Sequence, residues 1–128
     1  MKLNPDCIRD ILLTVEESTD FIHPLTYKIN NNSHEKLSPY SHAEIAYHIR
    51  QCNLSNLLHG VNILDAGDII VIKDLSPKGH QFLADIRSDN IWNNTKSIAT
   101  KVGSVSLDAL IKISTGVLTQ MINKQLGY

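Results

Sequence analysis

A chain of 128 residues and 14.3 kDa has room for the core of one domain and little more. Apolar residues make up 42% and charged residues 20%, a balance that argues against a disordered polymer and against a membrane protein. Twelve basic against thirteen acidic side chains give a net charge of -1, so the overall charge carries no signature of nucleic-acid binding.

The first helix is announced by its start. Asn4 is an N-cap, Pro5 takes the first helical position, Asp6 complements the dipole, and Leu3 and Ile8 stand as a hydrophobic staple. Ile8, Ile11, Leu12 and Val15 then recur on one helical face, and residues 16–20 end the pattern in solvent. Phe21 to Ile29 carries β-formers, but Pro24 confines it to an edge strand or an extended piece. Residues 30–39 are turn-rich and read as a loop with one short helical turn. Ser41 caps the next helix, with Glu44 as its capping-box partner. Ile45, Ile49 and Cys52, with Ala46 and Leu57, form the buried stripe; Glu44, His48, Gln51 and Ser55 line the opposite face, and Gly60 is expected to end the helix.

Val61–Leu64 and Asp68–Ile72 read as a β-hairpin joined through Asp65-Ala66-Gly67-Asp68, with Gly67 supplying positive φ. Ser76-Pro77 opens a third helix that turns Phe82, Leu83 and Ile86 inward. Ser88 or Asp89 caps a fourth, bearing Ile91, Trp92, Ile98 and Val102 and closed by Gly103, while Gly79 also reads as a helix-end glycine. Ser106 starts the last helix, whose stripe is Leu107, Leu110, Ile111, Val117, Leu118, Met121, Ile122 and Leu126, stopped by Gly127.

The fold class is therefore mostly α with a small β-hairpin (α+β), in the order of a winged helix-turn-helix with a C-terminal helical extension. Residues 1–88 form the winged-helix domain, and residues 89–128 a helical hairpin and dimerisation extension packed on it. The helix Ser41–Leu58 takes the recognition position and residues 61–72 the wing.

LNPDCIRDILLTVEE, YSHAEIAYHIRQC, DLSPKGHQFLADIR and WNNTKSIATKVGSVSLDALIKIS…KQLG together resemble domain of unknown function 2513, most specifically from LSPKGHQFL to WNNTK. The resemblance implies a small protein of Gram-positive bacteria and their phages or prophages, and it assigns no catalytic residue. LSPKGHQFL is also similar to the wing-to-helix junction of many bacterial winged-helix regulators, where a Ser/Thr-Pro cap opens the helix after the wing.

Chemistry-bearing motifs are absent. Cys7 and Cys52 form no CxxC and read as reduced, buried thiols of a cytoplasmic protein. MKLNPD lacks the apolar core of a signal peptide, and no window of about 20 residues is free of polar groups. The six histidines show no metal-ligand spacing, and no HExxH, GxSxG or phosphate loop is present. Asp65, Asp68 and Asp74 around the hairpin match no calcium-loop spacing. The chain is read as a non-enzyme without metal or cofactor.

A winged helix reads bases from its recognition helix and phosphates from its wing. The nucleic-acid-binding candidates are therefore His42, His48, Arg50 and Gln51 on the helix, with Lys73 and Lys78 following the wing, and Asn53 and Asn56 able to read base edges. Charge opposes this reading: residues 1–75 hold six cations against ten acids, and residues 76–128 six against three. Two roles are carried forward. One is a DNA-binding transcriptional regulator of phage or prophage type, working as a homodimer through Leu110, Val117, Leu118 and Met121. The other is a protein–protein interaction module, such as a mobile-element inhibitor of a host or phage nucleic-acid enzyme. No membrane partner is expected, because the last helix has only Lys112 and Lys124 to meet a lipid surface.

Overall fold

Asn4 caps the first helix by accepting the backbone N–H groups of Asp6 and Cys7, so that α1 spans Pro5–Ser18 in the computed structural model. The structure describes residues 1–31, 33–103 and 105–128. The stripe read from the sequence is the buried one: Ile8, Ile11, Leu12 and Val15 are enclosed, with Cys7 and Thr14 beside them. Pro24 precedes β1, Leu25–Lys28, which lies at a sheet edge where a missing N–H does no harm. A single 3-10 turn, Glu35–Leu37, sits in the following loop and buries Leu37. Next to it the Tyr40 hydroxyl donates to Asp10 Oδ2 at 2.6 Å, which ties this segment to α1.

Ser41 caps α2, His42–Leu54, by accepting from the Glu44 N–H at 3.2 Å. The Glu44 carboxylate accepts from Asn4 Nδ2 at 3.2 Å, a bond to the start of α1. The helix ends earlier than Gly60. Asn56 turns at φ 61, and its Ser55 and Leu57 neighbours close the last turn on the Gln51 and Cys52 carbonyls. Asn tolerates the left-handed region better than most residues, and this frees Leu58 and His59 to begin β2, Leu58–Leu64.

The expected hairpin is present and longer than read: β2 pairs antiparallel with β3, Ile69–Leu75, from Leu58↔Leu75 to Leu64↔Ile69. Its connection uses positive φ at Asp65 and Ala66 as well as at Gly67. β1 adds to the far side of β3, Leu25 opposite Ile72, giving the sheet order β1-β3-β2. Ile70 and Ile72 point from the central strand into the core that α1 and α2 cover. Gly60 keeps a different role, since any Cβ there would lie 2.6 Å from the Lys73 side chain crossing it.

Ser76 caps the third helix, α3, Pro77–Ile86, by accepting from the Gly79 N–H at 2.9 Å. Gly79 is no helix-end glycine. A Cβ there would stand 2.0 Å from the Leu57 carbonyl oxygen, so glycine lets α3 begin directly against the α2–β2 junction.

The chain divides into two compact units, Met1–His80 and Gln81–Tyr128, with the division inside α3, whereas the sequence places the boundary at 88/89. In the second unit α4, Asp89–Val102, is capped by Ser88 and stopped by Gly103 at φ 73. It packs on α5, Leu107–Gln125, capped by Ser106. The buried face of α4 is Ile91, Trp92, Thr95 and Ala99; Ile98 and Val102, expected inside, are exposed. On α5 it is Leu107, Leu110, Ser114 and Val117, and Ile122 and Leu126 are exposed. The small residues allow the helices to approach, and the two hydroxyls bond back into their own helices, Thr95 to the Ile91 carbonyl and Ser114 to that of Ile111. Among the described residues no helix is long and apolar enough to cross a membrane.

Candidate functional site

Two stripes of α2 run at the same helical spacing. Ile45, His48, Ile49 and Cys52 are buried, whereas Ala43, Ala46, Tyr47 and Arg50 line a cleft of about 310 Å³ with Met1 from the N-terminus and Ile63, Ala66, Gly67 and Ile70 from the hairpin. Ile63 and Leu64 are each 50% exposed at the end of β2, and Leu54 is 69% exposed at the end of α2. The guanidinium of Arg50 stands 5.4 Å from the centre of the Tyr47 ring. The cleft lining is therefore mainly aliphatic and aromatic, with Arg50 its one cationic side chain and the acids Asp65 and Asp68 exposed at the hairpin end.

The other expected contact residues do not gather around Arg50. His48, read as exposed, is fully buried: its Nδ1 donates to the Glu44 carbonyl at 2.7 Å and its Nε2 accepts the Asn4 N–H at 2.8 Å. Both ring nitrogens are used inside the fold, so His48 has no group left for a base edge. His42 stacks on Tyr27 at 5.7 Å, receives the Tyr27 hydroxyl on Nδ1 at 2.9 Å and turns Nε2 to Asp68 at 3.6 Å. The order Tyr27–His42–Asp68 is that of a proton relay, yet Tyr27 is 2% exposed and faces no cleft. Burial, with Asp68 second, pushes the Tyr27 hydroxyl pKa up, which keeps it a hydrogen-bond donor. The chain fastens α2 to β1 and to the hairpin end.

Gln51 is half-buried. Lys73 lines a separate cleft of about 500 Å³ with Asp20, Phe21, Ile22, Pro24, His59 and Asp74. Lys78 Nζ donates to the Ser55 carbonyl at 3.2 Å, a cation on the C-terminal end of α2. Of the α5 residues read as a dimer seam, Leu110 and Val117 are spent on burial within the chain, and Leu118 and Met121 are half-buried.

A second apolar feature escaped the sequence reading. Phe21 and Ile22 stand fully or largely in solvent on a loop cross-linked by Asp20, whose carboxylate accepts the N–H groups of Ile22 and His23 at 2.8 and 2.7 Å and meets His23 Nδ1 at 2.9 Å. The His23 ring and these backbone donors hold the Asp20 carboxyl at about 2. Both thiols are enclosed; burial first, then Glu44 and Asp10, pushes Cys7 up to about 12, and burial raises Cys52 as well. No group of three or more His, Cys, Asp or Glu that could hold a metal occurs among the described residues.

The fold and this surface define an α+β protein in which a helix and a β-hairpin frame an apolar cleft with one arginine. The chain belongs to the family described as "Hypothetical protein (DUF2513)", which matches residues 2–106. It is similar to an "Uncharacterized protein" of Haemophilus influenzae (strain ATCC 51907 / DSM 11121 / KW20 / Rd), 26% identical over 124 residues, which cover 95% of this chain and 99% of the relative. No solved structure matches the chain.

Proposed function

We propose that residues 1–80 act as a non-catalytic winged-helix module that binds a protein through α2 and the β2–β3 wing. The element order α1, β1, 3-10 turn, α2, β2, β3, with the sheet order β1-β3-β2, supports the winged-helix reading. The observation that carries the choice of partner is the composition of the α2–wing cleft, Ala43, Ala46, Tyr47, Ile63 and Ile70 around a single Arg50. A duplex is held by many cations against many phosphates, and this cleft offers one cationic side chain beside two exposed carboxylates. Apolar residues with an aromatic and an arginine are instead what protein interfaces enrich.

The second reading is a DNA-binding regulator of phage or prophage type, cytoplasmic and dimeric. It rests on α2 standing where a recognition helix stands, with Arg50 and Asn53 exposed on it. Its dimer seam would have Leu118 and Met121 to work with.

Selection from a displayed peptide library on the full chain, with counter-selection on Ile63→Asp, tests the protein reading. The expected result is a set of peptides that bind the wild type and lose at least about ten-fold on Ile63→Asp, the cost of burying a charge at an apolar contact. Peptides that bind both proteins equally would place the binding face elsewhere.

A further inference from the structure

We infer that the α2–hairpin cleft receives an apolar protein segment carrying a carboxylate, and that Arg50 is the group that recognises the charge. This rests on the reading of α2 and the wing as a protein-binding face and names the chemistry of the partner. The first argument is charge complementarity. Arg50 lies over Tyr47 at 5.4 Å and makes no hydrogen bond or ion pair with any described residue. Two carboxylates of these elements are engaged elsewhere: Glu44 is bonded to Asn4 Nδ2, and Asp68 faces His42. A guanidinium drawn to an aromatic face loses part of its side-chain freedom before any partner arrives, and its planar fork of N–H donors suits a bidentate carboxylate.

The second argument is the floor. Ala43 and Ala46 hold α2 open with side chains of minimum size, while Ile63 and Ile70 supply the wall from the hairpin. A cleft of about 310 Å³ lies at the low end of the range that pockets for small ligands occupy, room for one or two side chains rather than a whole helix face. A polyanion is disfavoured by Asp65 and Asp68 at the hairpin end, but a single carboxylate next to apolar side chains meets the Arg50 guanidinium and keeps the rest of its contacts dry.

The test uses 4-phenylbutyrate and its amide as probes, titrated into the full isotope-labelled chain while backbone amide shifts are followed. The carboxylate is expected to move Ala46, Tyr47, Arg50 and Ile63 saturably and to bind about three-fold more tightly than the amide, the strength of a half-exposed ion pair. Arg50→Gln, with an otherwise unchanged spectrum, is expected to abolish that preference while the amide still binds. Equal binding of acid and amide to the wild type, or a preference that survives in Arg50→Gln, overturns the carboxylate assignment and leaves the apolar docking face standing. Shifts confined to residues outside the cleft overturn both.

Discussion

His48 shows how one side chain decides where a surface lies. Its ring bridges the Glu44 carbonyl and the Asn4 N–H, so it joins the N-terminal turns of α1 and α2. Replacing it with leucine leaves the part-buried Asn4 N–H without its partner and takes the side-chain hydrogen bond from the Glu44 carbonyl. His48→Leu is expected to cost about 2–4 kcal/mol, read from urea unfolding. A loss within about 0.5 kcal/mol, the range of ordinary surface changes, would mean the ring is not holding those groups. The sequence sets His48 with Glu44, Gln51 and Ser55 on the polar face of its helix; the fold buries it with Ile45, Ile49 and Cys52. Its partner Asn4 lies 44 residues away, which no local pattern reveals.

Asp20 is the other residue whose environment has a measurable signature. Its carboxyl, ordinarily near 3.8, is held at about 2 by His23 and the backbone N–H groups it accepts. A depressed folded pKa contributes stability above the ordinary value, and that contribution fades as pH falls from about 4 through about 2. The Asp20 side-chain carbon signal should therefore titrate near 2 in the wild type and move toward 3.8 in His23→Ala. Titration at 3.8 in both proteins would remove the ring from the loop's architecture. The sequence showed Asp20 only as the end of a helix, because the turn that makes it useful closes on a histidine three residues later.

At the level of elements, starts were more legible than ends. Asn4, Ser41, Ser76, Ser88 and Ser106 all accept a backbone N–H from the first turn they precede, a purely local interaction that sequence displays. The end of α2 was not legible, since Asn56 adopts φ 61 in competition with an available Gly60. The buried faces of α4 and α5 were also misread in part. Thr95, Ala99 and Ser114 take core positions because helix–helix approach favours small side chains there, while hydropathy alone favours Ile98 and Val102. Gly79 gives the sharpest test of element packing. Gly79→Ala drives a methyl into the Leu57 carbonyl and should destabilise by about 1–3 kcal/mol or more, against the small gain alanine normally brings inside a helix. A thermal unfolding midpoint equal to or above that of the wild type would contradict the contact.

For the whole molecule, the sheet depends on β1 crossing to the outer edge of β3, a pairing 41 to 47 residues apart that the hairpin signal does not contain. The candidate site follows the same logic. Arg50 was legible as the lone cation of its helix, with Tyr47 three residues before it on that helix, but Ile63 is joined to it only by the docking of the hairpin on α2. Lys73 lines a different cleft and Lys78 donates to the C-terminal end of α2, so neither lines the cleft that holds Arg50.

Fluorescence anisotropy of a labelled random-sequence duplex at low salt measures the consequence most directly, because non-specific duplex affinity is set almost wholly by the cations a face presents. The account predicts no saturable binding by the wild type and no change in Arg50→Glu. Saturable binding that weakens with salt and disappears in Arg50→Glu would contradict it and assign the α2–hairpin face to DNA.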